Sequence, residues 1–86
     1  MKVEVYKRDV YRKHNYSRKY KFELTDYILF VNDVEQISVD SITLNNKGLR
    51  GVNGILKIAY KKGVIDKPMK IKDVIVTKTT SLYKNY

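Results

Sequence analysis

Three tyrosines in the first part of the chain each precede a pair of basic residues: Tyr6-Lys7-Arg8, Tyr11-Arg12-Lys13 and Tyr16-Ser17-Arg18-Lys19. Lysine and arginine neutralise phosphates and release condensed counterions, while a tyrosine ring offers any base a stacking face. These residue types point to single-stranded nucleic acid. Lys7, Arg8, Arg12, Lys13, Arg18 and Lys19 are the candidates for the backbone, and Tyr11 and Tyr16 for the bases. A five-residue spacing matches neither the period of a strand nor that of a helix, so the three tyrosines cannot share one face of one regular element. A solvated basic hairpin whose tyrosines pack on the core would have the same composition.

Gly48, Gly51 and Gly54 form a G-x-x-G-x-x-G series with Lys47 just before it and Arg50 within it. A glycine-rich basic loop lets backbone amides approach phosphate, which adds Lys47 and Arg50 to the candidates. No Lys-Ser/Thr follows the last glycine and no helix is predicted after it, so neither a nucleotide P-loop nor a dinucleotide fingerprint is present.

Catalytic chemistry has few seeds. His14 is the only histidine and there is no cysteine, so a transition-metal site of ordinary ligand number cannot be assembled. His14 with Arg12, Tyr16 and Arg18 is the one set resembling a small ribonuclease centre. The carboxylates are isolated along the chain except Asp33 and Glu35, which flank a turn. With no activated nucleophile or acid–base pair, the expectation is a non-catalytic module without metal or cofactor.

The charge pattern widens the choice of partner. Residues 1–22 carry a net charge of +6, residues 23–46 carry −5 with no base at all, and residues 47–86 carry +8, giving +9 in all. Such a balance is a statement about partners. Nucleic acid, single-stranded more than duplex, is the leading expectation. The alternative is a protein-interaction module or inhibitor, of the kind that phages and mobile elements encode, docking on an acidic protein through one charged face. The acidic middle could also meet the basic arm of a second copy, which makes a homo-oligomer an open option. Lys57, Lys61, Lys62, Lys70, Lys72 and Lys78 alternate with apolar residues and read either as one basic face or as edge protection.

The elements that must position these residues read as strands. Val, Ile, Thr, Tyr and Phe make up 33 of 86 residues, and Ala59 is the only alanine. Branched and aromatic side chains suit a pleated surface, and good helix formers are scarce. Alternation runs through Lys2–Val5 and through Lys19–Leu24, where Tyr20, Phe22 and Leu24 fall on one face. Tyr27–Val31 is apolar on both faces, as in a central strand, and Asn32-Asp33 makes a turn. Ile37–Leu44 and Met69–Val76 each slip phase once, at Asp40-Ser41 and at Lys72-Asp73. A β-bulge or a short turn produces such a slip. Asn45–Gly48 opens a loop reaching Gly54, and Leu56, Ile58 and Tyr60 share a face of the following strand.

The expectation is therefore an all-β single domain over 1–86, with 79–86 frayed. It is a small, strongly bent barrel or two-sheet sandwich of about 5–7 short antiparallel strands, in the size range of OB, SH3-like or PH-like barrels. No helix longer than about two turns is expected. The longest apolar run, Tyr27–Val31, is far too short to span a membrane. The N-terminus lacks a secretory apolar region, so a cytoplasmic location, or a host cytoplasm for a viral protein, follows.

Overall fold

The computed structural model describes residues 1–14, 16 and 18–85. Two 11-residue strands, β1 (Val3–Lys13) and β2 (Lys21–Val31), form a long antiparallel hairpin. β3 (Val34–Asp40) returns antiparallel along β2. The connecting residues Asn32 and Asp33 have φ of 51° and 67°. A two-residue hairpin turn of type I′ needs positive φ at both positions, and Asn and Asp tolerate it best after glycine. Asn32 Oδ1 also accepts a 2.9 Å hydrogen bond from the Lys2 N–H, fixing the turn to the start of β1.

Two helices follow, α1 (Ser41–Asn46) and α2 (Gly51–Lys61), then a 3-10 turn (Ile71–Asp73) and the strands β4 (Ile75–Lys78) and β5 (Leu82–Asn85). β4 and β5 lie one after the other along the outer edge of β1, both parallel to it. The Thr79 N–H between them donates to the Lys7 carbonyl at 2.9 Å and keeps the line continuous. The sheet order is β3-β2-β1-β4, with β5 also on β1. Parallel pairing after β3 requires a crossover, and the two helices supply it.

The chain is mainly β, as composition indicates, but neither a barrel nor a sandwich forms. It is one open, mixed, five-stranded sheet with two helices. The expected limit of two helical turns is also overturned. Val52, Ile55, Leu56 and Ala59 are buried at helical spacing in α2, and Ile58 and Tyr60, read as strand positions, lie on that helix. Residues 79–86, read as a frayed end, include β5; residue 86 lies outside the described residues.

Each sequence irregularity has a local cause. The phase slip at Asp40-Ser41 is the junction of β3 and α1, where Asp40 Oδ1 accepts the Thr43 N–H at 2.8 Å as an N-cap. Such a cap satisfies one of the orphan donors of the first turn. Asp40→Ala should lower stability by about 1 kcal/mol, read as a shift in the urea midpoint with an unchanged slope. The slip at Lys72-Asp73 is the 3-10 turn, in which Asp73 Oδ2 accepts the Lys70 N–H at 2.9 Å. Of the glycine series, Gly48 sits at a φ of 72° just after α1, and Gly54 lies inside α2. A Cβ on Gly54 would stand 3.1 Å from Leu49 Cβ and 3.2 Å from Leu44 Cδ2, so this glycine lets α2 close on those two leucines.

The core lies between α2 and one end of the sheet. Val3, Val5 and Leu29 meet Val52, Ile55, Leu56, Ala59 and Ile65 there, all buried. The molecule is correspondingly elongated, 47 × 25 × 19 Å.

Candidate nucleic-acid interface

Directly paired residues share a sheet face, so the face under the helices can be followed along the β1–β2 register. It begins with Val3 opposite Val31 and Val5 opposite Leu29, continues with Lys7 opposite Tyr27 and Asp9 opposite Thr25, and ends with Tyr11 opposite Phe22. The face thus changes from apolar core to a polar seam and then to rings.

The polar seam is tightly bonded. Asp9 Oδ1 accepts from the Thr25 hydroxyl at 2.9 Å, and Asp9 Oδ2 lies 3.3 Å from Lys78 Nζ. The Thr25 N–H donates to Ser41 Oγ at 3.0 Å, at the start of α1. The Thr25 hydroxyl is the main cause of a carboxyl pKa at Asp9 held below the usual value; Lys78 and Lys7 add to it, against the opposing effect of partial burial. Burial, followed by the Asp9 charge, pushes the Tyr27 hydroxyl up. A carboxyl depressed in the folded state stabilises the fold above its unfolded pKa and loses that contribution as pH falls through its folded value. Melting temperature should therefore fall as pH drops below about 4, and Asp9→Asn should flatten that acid limb relative to the parent. Parallel limbs in the two proteins would assign the acid sensitivity to other carboxylates.

Beyond the seam lies a four-ring array: Tyr11 in β1, Phe22 in β2, Tyr83 in β5 and Tyr20 just before β2. Tyr11 stacks on Tyr83 with centroids 5.2 Å apart and an interplanar angle of 15°. Phe22 meets Tyr11 edge-on at 5.8 Å, and Tyr20 meets Tyr83 edge-on at 5.1 Å. The Tyr20 hydroxyl donates to Asn85 Oδ1 at 2.9 Å, and Lys13 Nζ lies 5.5 Å from the Tyr20 ring centre. Despite these contacts the array stays open to solvent: Tyr20 is 40%, Phe22 57% and Tyr83 58% exposed. Monomeric proteins seldom leave so many aromatic faces together without a use.

A β-bulge builds this array. Val10 pairs with Leu24, but Tyr11 pairs with Phe22, so Glu23 is the extra residue of β2. The bulge separates Leu24 from Phe22, which strict alternation would have kept together, and turns Phe22 onto the face of Tyr11. The adjacent pairing of Tyr11 with Tyr83 and of Lys13 with Asn85 then brings in β5.

The expected site residues divide into groups. Tyr11 and Lys13 belong to the array. Tyr16, Arg18 and Lys19 are exposed in the β1–β2 connection at the same end of the sheet; positions 15 and 17, which complete the third tyrosine unit, lie outside the described residues. Arg8 and Arg12 lie on the other face, and each meets a carboxylate: Arg8 Nη2 is 3.1 Å from Asp26, and Arg12 pairs with Glu23. That pairing holds the Glu23 carboxyl below its usual pKa. Lys7 sits in the polar seam, paired across β1 with Lys78 in β4. Lys47 and Arg50 are exposed in the α1–α2 connection, on the helix layer rather than the ring end.

The acidic block is therefore largely met by the chain's own basic arm. Besides Glu23 and Asp26, Asp33 lies 3.1 Å from Lys2 Nζ, and Asp40 caps α1. Sequence reasoning missed Tyr20, Phe22 and Tyr83 as site residues. Tyr20 and Phe22 were visible as one face of an alternating strand, but exposed and buried aromatic faces look alike in a sequence. Tyr83 fell in the stretch read as frayed.

Among the described residues no cluster of His, Cys, Asp and Glu could hold a metal ion, and no helix is long and apolar enough to cross a membrane. No protein-family model, curated protein or solved structure matches the chain, so the functional reading rests on its own geometry.

Proposed function

We propose that the protein binds single-stranded nucleic acid without cleaving it. The observation that supports this reading is the open array of Tyr11, Tyr20, Phe22 and Tyr83, with Lys13 beside it and Arg18 and Lys19 in the connection at the same end of the sheet. Exposed rings on a sheet give unstacked bases a platform, and lysines and arginines around them hold the backbone. Duplexes keep their bases stacked inside and gain little from such a platform, so single strands are favoured. Low sequence specificity follows, because every base has a π-face.

The test is a binding titration with labelled single-stranded DNA and RNA from about 50 mM salt upward. Affinity should fall with a slope of roughly −0.7 per neutralised phosphate in a log–log plot. Charge reversal at Lys13, Arg18 and Lys19 should weaken binding across sequences and flatten the slope. The oligonucleotide should be recovered intact. A parent protein that binds neither single strand at low salt would end this reading.

A further inference from the structure

A second surface lies on the helix layer, away from the ring end of the sheet, and is built differently. A groove of about 660 Å³ runs between α2 and the 3-10 turn. Tyr60, Pro68 and Met69 provide its apolar surface, above the buried Leu56, and Lys57, Lys70 and Lys72 form its rim. The two walls are joined, because the Ile71 N–H donates to Asn53 Oδ1 at 2.8 Å. The groove is thus preformed, and its size falls in the range of sites that hold a ligand or a few side chains.

Its charge is unbalanced. The ion pairs among the described residues join Lys2, Arg8, Arg12 and Lys78 to acids, and all of these lie on or beside the sheet. None reaches Lys57, Lys70 or Lys72. The one acid at the groove, Asp73, turns its carboxylate back to the Lys70 N–H and closes the 3-10 turn. Tyr60 and Ile71, 48% and 50% exposed, add apolar surface around it.

We propose that this groove docks an acidic peptide segment of a partner protein, one or two apolar side chains entering the groove and flanking Asp or Glu side chains meeting the lysine rim. Charge complementarity argues for an anion. The concave surface of Pro68 and Met69, with Tyr60 as its single ring, argues for a peptide over a nucleic acid, since it offers no broad stacking platform, and over a bilayer, which cannot enter a groove. Apolar anchors inside a charged rim are a recurring mode of peptide recognition. This site is separate from the ring array and does not depend on the nucleic-acid reading.

The test is selection of a displayed random-peptide library on the immobilised, folded protein, followed by titration of a synthetic peptide carrying the enriched sequence. Enriched sequences should place Leu, Phe, Met or Trp between acidic residues. The peptide should bind more weakly as salt rises, and the combined Lys57→Glu and Lys70→Glu variant should lose about tenfold or more in affinity. Tyr60→Ala, at an exposed position that leaves the fold intact, should weaken the peptide as well. Phe22→Ala with Tyr83→Ala should leave its affinity unchanged. The proposal is overturned if no acidic sequence is enriched, if the groove variants bind the peptide as the parent does, or if a single-stranded oligonucleotide displaces it competitively.

Discussion

Combined replacement of Tyr20, Phe22 and Tyr83 by alanine should abolish single-strand binding in the accessible concentration range while the protein stays folded. Base–aromatic stacking contributes about 1–3 kcal/mol per base, so each ring removed should cost roughly 5- to 150-fold in affinity. Rings that stack on one another are coupled, and the triple change should cost less than the three single changes added together. The salt slope should hardly move, because no phosphate contact is lost. That separates the ring variants from charge reversal at Lys13, Arg18 and Lys19, which should flatten the slope. All three rings are exposed, so the melting temperature should fall only modestly. A folded triple variant that binds as tightly as the parent would show that bases do not rest on the array.

Leu29→Ala should be the most damaging single substitution for the fold. Leu29 is fully buried at the centre of the sheet, opposite Val5 on one side and Ile37 on the other, beneath α2. Truncating a buried leucine costs about 2–5 kcal/mol through lost transfer energy and the cavity left behind. A domain of this size has only about 5–15 kcal/mol in total, and a small core places it toward the lower end. The neighbouring Ile28 points to the opposite face, which no helix covers, and is only half-buried. Ile28→Ala should cost less than half as much. Urea denaturation of the two variants measures the difference directly, and equal losses would mean that the open face is as well packed as the helix-covered one.

The strands were legible in the sequence because period-2 patterning is a property of adjacent residues. Tyr27–Val31 was recognisable as central from its two apolar faces, and β2 does lie between β1 and β3, but the expected cover on both faces is not found, since the helices lie over one of them only. The Asn32-Asp33 turn was legible from the tolerance of those residues for positive φ. α2 was not. Leu56, Ile58 and Tyr60 alternate as a strand would, and the single alanine and the three nearby glycines all argue against a helix. Tertiary packing outweighed propensity there: Val52, Ile55, Leu56 and Ala59 could bury themselves on Val3, Val5 and Leu29 only by sharing one helical face.

The candidate site was half legible. Composition singled out the first hairpin, and Tyr11 and Lys13 do stand in the array. The fate of Arg8 and Arg12 depended on register, which sets them near Asp26 and Glu23 and which no local pattern reveals. Phe22 was hidden by the bulge at Glu23, and Tyr83 by a parallel pairing with a strand at the other end of the chain.

That pairing also governs how the fold is reached. Lys7 and Thr79, hydrogen-bonded in the finished sheet, are 72 residues apart in the chain. The β1–β2 hairpin and its β3 extension need only short loops, whereas β4 and β5 can add to β1 only after most of the chain has been ordered, at the full entropy of closing a long loop. Folding should accordingly take milliseconds or longer, in the manner of non-local β topologies. The reverse process follows the same order. β5 has four residues and a single neighbour, β1, so it is the segment that opens at least cost. Its amides should exchange with solvent ahead of those in β1 and β2. Each such opening carries Tyr83 away from Tyr11 and dismantles the ring array while the core stays intact, so on the proposed reading affinity for a single strand should follow the local stability of the last strand rather than that of the whole domain.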